Sequence, residues 1–183
     1  MDNLVLGSKR ISLRLVEQSD IPAIHKLHAL PETDAFNTLG IPKNEDETKD
    51  ILKTWIRDNA VNEIQNYSFV IEHKTSKDFI GVFGVKLSSK KYSRAEVWYK
   101  IHPQHWQNGY ATEALKIVLD YCFTDLGLHR VQAGCAVDNI GSIKVLEKAG
   151  MIREGRGRKV LPLKNGWSDN FEYSILETDQ RKI

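Results

Sequence analysis

The chain has 183 residues, 41% of them hydrophobic and 27% charged, proportions that suit one globular domain able to bury a core without disulfide staples. A formal charge of +2 announces no polyanionic partner, so direct nucleic-acid binding is not expected. Cys122 and Cys135 lack close spacing and sit among apolar residues, which reads as two free thiols in a reducing compartment. No apolar run reaches the length of a membrane span, and Met1 to Arg10 lacks the apolar centre of a secretory leader, so residues 1–183 are expected to form a single cytoplasmic domain.

In chain order, residues 10–15 alternate as a half-buried strand. Asp20 can cap the next helix, with Pro22 tolerated in its first turn. Ile21, Ile24, Leu27 and Leu30 then repeat at helical spacing until Pro31 ends the run. Residues 45–59 place Ile51, Leu52, Trp55 and Ile56 on one face, a second amphipathic helix. Strands are predicted at 67–72, 79–87 and 95–101, the second thinned by Gly81 and Gly84 and the third stopped by Pro103. The short turns between them suit an antiparallel meander. Residues 109–126 form the clearest helix, with Ala111, Ala114, Leu115, Val118, Leu119, Cys122, Phe123 and Leu126 on its apolar face and Gly127 at its end. A strand at 129–137, a helix opened by Asp138-Asn139 and closed at Gly150, and strands at 151–160 and 171–176 complete the order. This alternation fits neither a helical bundle nor a pure sandwich.

The chemistry concentrates where the fourth predicted strand, 95–101, passes through a short loop into the helix at 109. Gln107, Asn108, Gly109, Tyr110, Ala111 and Thr112 straddle that helix start. The first turn of a helix leaves amides without intrahelical partners, and those donors together with the helix dipole favour an anion such as a pyrophosphate. Gly109 removes a side chain that would hold the phosphates away. Many strand-to-helix loops carry a glycine and bind nothing, so the glycine alone does not decide. No Gly-Lys-Ser/Thr or Gly-x-Gly-x-x-Gly sequence is present, which argues against a P-loop and a dinucleotide fold.

The deciding element lies about thirty residues on, where Asn139-Ile140-Gly141-Ser142 opens a helix that Ala149-Gly150-Met151 closes. This resembles the GNAT superfamily of N-acetyltransferases. Trp106-Gln107-Asn108-Gly109-Tyr110-Ala111-Thr112-Glu113 resembles that superfamily's acetyl-CoA pyrophosphate loop, and Arg10-Ile11-Ser12-Leu13-Arg14-Leu15 with Asp20 looks like the opening of the subgroup that contains the ribosomal-protein N-terminal acetyltransferases. The resemblance runs from Arg10 to about Glu177. It implies an α/β (mixed α+β) GNAT fold, a strongly twisted mixed sheet of about seven strands flanked by about four helices, with acetyl-CoA between the fourth and fifth strands. There are two departures. Trp106 stands where the loop usually begins with Gln or Arg, and Leu146 stands where many members place a Tyr that protonates the leaving thiolate.

Acetyl transfer from a thioester to an amine needs a neutral amine, a stabilised oxyanion and a partner for the thiolate. Glu96 matches the fourth-strand Glu that serves as base in histone-type members, although a strand-edge ion pair is an equal reading. Glu154 and Glu172 are rivals, and His102 and His105 can relay protons. The resemblance assigns the oxyanion to a backbone amide at the end of the fourth strand, Ile101 or His102. Ser142, three residues after Asn139, is the candidate thiolate partner; Asn139 can cap its helix or bond the cofactor. Lys144 can reach a cofactor phosphate. Glu113 reads as structural. Trp98, Tyr99 and Trp106 can wall an acceptor pocket or simply fill core. His25 and His28 have no third ligand, so no metal is expected, and the basic run of Arg153, Arg156, Arg158 and Lys159 reads as a solvated face.

The expected function is acetyl transfer from acetyl-CoA to the N-terminal α-amine of a protein, a ribosomal one being the instance that the resemblance names. The alternatives are a small amine, such as an amino acid, polyamine or drug, and a non-catalytic acyl-CoA sensor, which Leu146 motivates. The sequence is compatible with a homodimer but does not fix the oligomeric state.

Overall fold

Eight strands form one sheet in the order β1-β2-β3-β4-β5-β6-β8-β7 in the computed structural model, which describes residues 4–180. The strands are β1 (Val5–Gly7), β2 (Ile11–Leu15), β3 (Asn66–His73), β4 (Phe79–Leu87), β5 (Arg94–Ile101), β6 (Arg130–Ala136), β7 (Ile152–Leu163) and β8 (Gly166–Leu176). The helices are α1 (Ile21–His28), α2 (Pro31–Asp34), α3 (Glu45–Asn59), α4 (Tyr110–Thr124) and α5 (Ile140–Lys148). All neighbouring strands are antiparallel except β5 and β6. That pair is parallel because the whole of α4 lies between them in sequence, long enough to carry the chain back to the starting edge.

The alternation of side chains along each strand divides the core in two. Phe69, Ile71, Phe83, Val85, Ala95, Val97 and Ile101 face α4 and α5 and pack with Leu115, Val118, Leu119 and Leu146. Val70 and Val82 face the other way and pack with Ile24 and Leu27 of α1 and Leu52 of α3. The five inward residues of α4, from Ala114 to Cys122, are buried at helical spacing.

The expected mixed sheet and flanking helices are present, with two short elements added, β1 and α2, which bring the count to eight strands and five α-helices; β1 is a three-residue edge strand, too short to show alternation. Three further expectations need correction. Pro31 does not end α1, which stops at His28, but starts α2 at a position where its missing amide is not needed. Asp20 does not cap α1. Its carboxylate accepts from the Glu17 amide at 2.8 Å and from both Arg14 Nη atoms at 2.9 and 2.7 Å, tying the start of α1 to β2. The β7–β8 hairpin also runs further than expected, to Leu163 and from Gly166. Its outer half is exposed and carries Pro162, tolerated because β7 is the sheet edge.

His28 on α1 is 1% exposed, and its ring meets Trp55 edge-on at 6.0 Å. Burial, helped by Lys100 and His25, lowers its pKa to about 4. The unfolded chain binds this proton near the ordinary value of about 6.5, so between those values it holds more protons than the folded protein. Stability is therefore lost as pH falls from about 6.5 to about 4, by roughly 3 kcal/mol. Urea unfolding at about pH 7 and about pH 4.5 should show this loss in the parent chain and a loss smaller by about 2 kcal/mol in His28→Leu. Equal losses in both would mean that the buried imidazole does not set the acid response.

Candidate active site

β5 and β6 pair only through Arg94↔Arg130, Ala95↔Val131 and Glu96↔Gln132. Beyond that point β5 runs on to Ile101 and β6 to Ala136 without further pairing to each other, which opens a wedge inside the sheet. Both α4 and α5 begin at the open end of the wedge, close after the strands they follow. The amides that β5 turns toward the wedge have no strand to bond, and an extended ligand can take them as a strand would.

The loop after β5 is held from both sides. Trp106 Nε1 donates to the Ile101 carbonyl at 2.8 Å, and the Arg10 guanidinium bonds the Asn108 carbonyl at 3.2 Å and, through Nε, Glu113 at 2.8 Å. Glu113 is thus structural, as expected, and Trp106 is a loop clasp rather than an acceptor wall. Gln107 and Gly109 adopt left-handed φ of 62° and 80°, a turn of the kind that exposes successive amides to an anion. The first helical bond of α4 runs from the Glu113 amide to the Gly109 carbonyl, so Tyr110, Ala111 and Thr112 start the helix with amides that have no intrahelical acceptor. A side chain on Gly109 would meet only Arg10 Nη2, at 3.6 Å; what the position needs from glycine is its φ. These features fit the pyrophosphate of a coenzyme A.

The His102 amide donates to the Ile80 carbonyl at 2.9 Å, which corrects the expectation that it serves an oxyanion. Because amides alternate along an antiparallel strand, that bond turns the Ile101 amide toward the wedge, and Ile101 is the backbone donor left for the role. The side chain of His102 accepts from the Gln104 amide at 3.3 Å, and burial and His105 lower its pKa. Asn139 caps α5, its Oδ1 accepting from the Ser142 amide at 3.1 Å. Lys144 is exposed on α5.

Glu96 is exposed on β5 at the last paired position of the wedge. Its rival Glu154 binds Arg130 at 2.9 Å; that guanidinium and Ser174 hold its pKa down to about 2, too low for a base near neutral pH. Glu172 lies on β8, beyond β6 from the wedge. The thiols of Cys122 and Cys135 are buried, which pushes them up to about 12 and about 11 and leaves both inert.

Four buried side-chain atoms have no hydrogen-bond partner among the described residues: His28 Nδ1, Asp34 Oδ1, Tyr99 Oη and Lys100 Nζ. Two belong to consecutive residues of β5 in its unpaired stretch, and the other two face one of them. Tyr99 points toward α5 and stacks on Phe83 at 5.8 Å; burial raises its pKa, and Ser142 comes close enough to oppose that rise, though without the geometry of a hydrogen bond. Trp98 points the opposite way, lies over Gly84, where a Cβ would fall 2.1 Å from its ring, and meets Trp55 at 5.3 Å. A signal for Lys100 was present in the sequence, a lysine set between the run Val97-Trp98-Tyr99 and Ile101. On the same side as Trp98, an open groove of about 370 Å³ runs between residues 37–41 and the tip of the β7–β8 hairpin.

Comparison with known proteins agrees with this geometry. Residues 10–152 match the family described as acetyltransferase (GNAT) domain. The chain is 30% identical over 173 residues to the uncharacterized N-acetyltransferase YoaA of Bacillus subtilis, covering 94% of this chain and 97% of that one. It superposes on the spermidine N-acetyltransferase of Vibrio cholerae, crystallised with CoA and spermine, at a TM-score of 0.82 with 25% identity, covering 93% and 98% of the two chains. It shares its fold with Mycobacterium smegmatis RimJ in complex with CoA-disulfide at a TM-score of 0.86 with 21% identity, covering 98% and 91%. With its split sheet, amide-lined loop and paired helix starts, the chain belongs to the GNAT acetyltransferase family and is an acetyl-CoA-dependent N-acetyltransferase.

Proposed function

We propose that the protein acetylates the N-terminal α-amine of a polypeptide, a ribosomal protein being one such substrate, by direct transfer from acetyl-CoA in the cytoplasm. The observation that carries this reading is the groove. It is partly open to solvent and is lined by Asp34, Asn37, Thr38, Ile41, Leu163 and Lys164 among others, one carboxylate against one ammonium. An extended peptide offers amides, side chains and a single terminal charge to such a surface. A polyamine offers several cations, which call for several carboxylates. Polyamine acetylation remains the second reading, because the V. cholerae relative is named for it and Asp34 stands in the groove.

In this reading the loop amides from Gln107 to Thr112, with Lys144 and Asn139, hold the coenzyme, and the Ile101 amide meets the developing oxyanion. Ser142 and Tyr99 meet the departing thiolate. Leu146 is 1% exposed and packed in the core, so the proton donor expected at that place is replaced by a hydroxyl from the facing strand. Glu96, in contact with solvent at the last paired position of the wedge, hands the released proton on to bulk water.

Three outcomes test these assignments. Thiol release from acetyl-CoA should be at least tenfold faster per unit kcat/KM with N-terminal peptides than with spermidine or free amino acids, roughly 1.4 kcal/mol of preference; turnover of spermidine with no turnover of peptides would transfer the function to the second reading. Tyr99→Phe should lower kcat about a hundredfold and Ser142→Ala about tenfold, both with the calorimetric affinity for acetyl-CoA unchanged. Gly109→Val forces a side chain into a left-handed position at a cost of roughly 1–2 kcal/mol, and should weaken acetyl-CoA binding about tenfold.

A further inference from the structure

Leaving a buried polar atom unpartnered costs about 1–3 kcal/mol. His28, Asp34 and Lys100 each carry one such atom and are 1%, 5% and 7% exposed. They are electrostatic neighbours, Lys100 acting on His28 and Asp34 on Lys100. No structural need gathers three orphaned groups at one point of a core, and hydrophobic residues of similar size would be more stable there. The place is specific. Lys100 lies on the unpaired stretch of β5, on the face opposite Tyr99, and Asp34 is shared between this cluster and the acceptor groove.

We infer that Lys100 takes the proton from the ammonium of the acceptor, with Asp34 and His28 holding the amine against it. The acceptor ammonium donates to the Asp34 carboxylate and the His28 imidazole, both of which have an unpartnered acceptor atom. One proton passes to the neutral Lys100 amine, which gives it up to solvent between turnovers. The freed lone pair forms the C–N bond, and the C–S bond breaks with its electron pair on sulfur. A second proton leaves the adduct nitrogen and balances the one taken up by the thiolate. The two proton transfers are thus handled on opposite faces of one strand by adjacent residues.

The surroundings suit this task. Burial lowers the pKa of Lys100 to about 8, with Asp34 opposing the shift. An α-amine titrates at about 8 and a lysine-like amine at about 10.4, so the transfer is close to even for a polypeptide N-terminus and roughly 250-fold uphill for a polyamine. The groups facing Lys100 are His28 of α1 and Asp34 of α2, and His25, one turn back on α1, acts on His28; Val82 opposite it on β4 does not titrate. Glu96 shares its strand face but lies about 13 Å away along the strand.

The inference rests on amine acetylation; only its preference for α-amines rests on the polypeptide reading. The test is kcat at saturating acetyl-CoA and acceptor, followed against pH for the parent chain, Lys100→Met, Lys100→Arg and Glu96→Gln, with calorimetry of acetyl-CoA as the check on folding. A base must be neutral to act, so kcat of the parent should rise through about pH 8. Lys100→Met and Lys100→Arg should bind acetyl-CoA as the parent does, lose about a hundredfold in kcat and lose that rise, while Glu96→Gln keeps it. Retention of the rise in Lys100→Met, with or without a lower rate, would overturn the inference, as would its loss in Glu96→Gln. If spermidine turns over and peptides do not, the same series run with spermidine decides the role of Lys100 separately from the polypeptide reading.

Discussion

The separation of β5 from β6 after three paired residues is the constraint on which the site depends. A parallel strand pair normally satisfies its amides along its whole length, and a sheet interior has no water to replace lost bonds. Here the pairing stops while both strands continue, so the amides between them require another partner of extended form. The same parting places two helix starts side by side, one opened by Gly109 and the other capped by Asn139. In the proposed site, acyl-thioester, pantetheine and pyrophosphate are therefore met mainly by backbone, which asks for no particular side chain at Trp106 or Leu146.

The proposed side-chain chemistry falls instead on residues 99 and 100, whose buried polar atoms have no partner among the described residues. A strand turns consecutive residues to opposite faces, and in the parted region one face looks on α5 and the other on α1 and α2. Tyr99 and Lys100 inherit those two environments from their order in the sequence alone. Burial then acts on them in opposite directions. It keeps the phenol firmly protonated and makes the ammonium easier to deprotonate. In the proposed mechanism one strand thus supplies a donor and an acceptor of protons, next to the backbone amide assigned to the oxyanion.

The elements with strong periodicity were legible in the sequence. α3 and β4 have the bounds that their apolar spacing predicted, and the glycine-marked start of α4 and the Asn139 cap of α5 fall where turn chemistry put them. What escaped was set by partners distant in sequence. β1 exists because β2 offers it an edge, and the outer hairpin leaves even Val160 and Trp167 exposed, so no buried face sets its pattern. The cluster of His28, Asp34 and Lys100 joins three elements that no local pattern connects. His28 was visible only as half of a weak His pair, and Lys100 as a lysine between the run Val97-Trp98-Tyr99 and Ile101. The commitment of the His102 amide to Ile80 follows from sheet register, which sequence does not specify to the residue.

Amide hydrogen exchange with and without acetyl-CoA tests the central claim, that the unpaired amides of β5 and the two helix starts form the coenzyme site. The expected result is new protection at Tyr99 and Ile101, through residues 107–112 and at the start of α5, with none along β7. Protection confined to the β7–β8 hairpin, or bound acetyl-CoA that leaves the Ile101 amide exchanging as in the free protein, would contradict it.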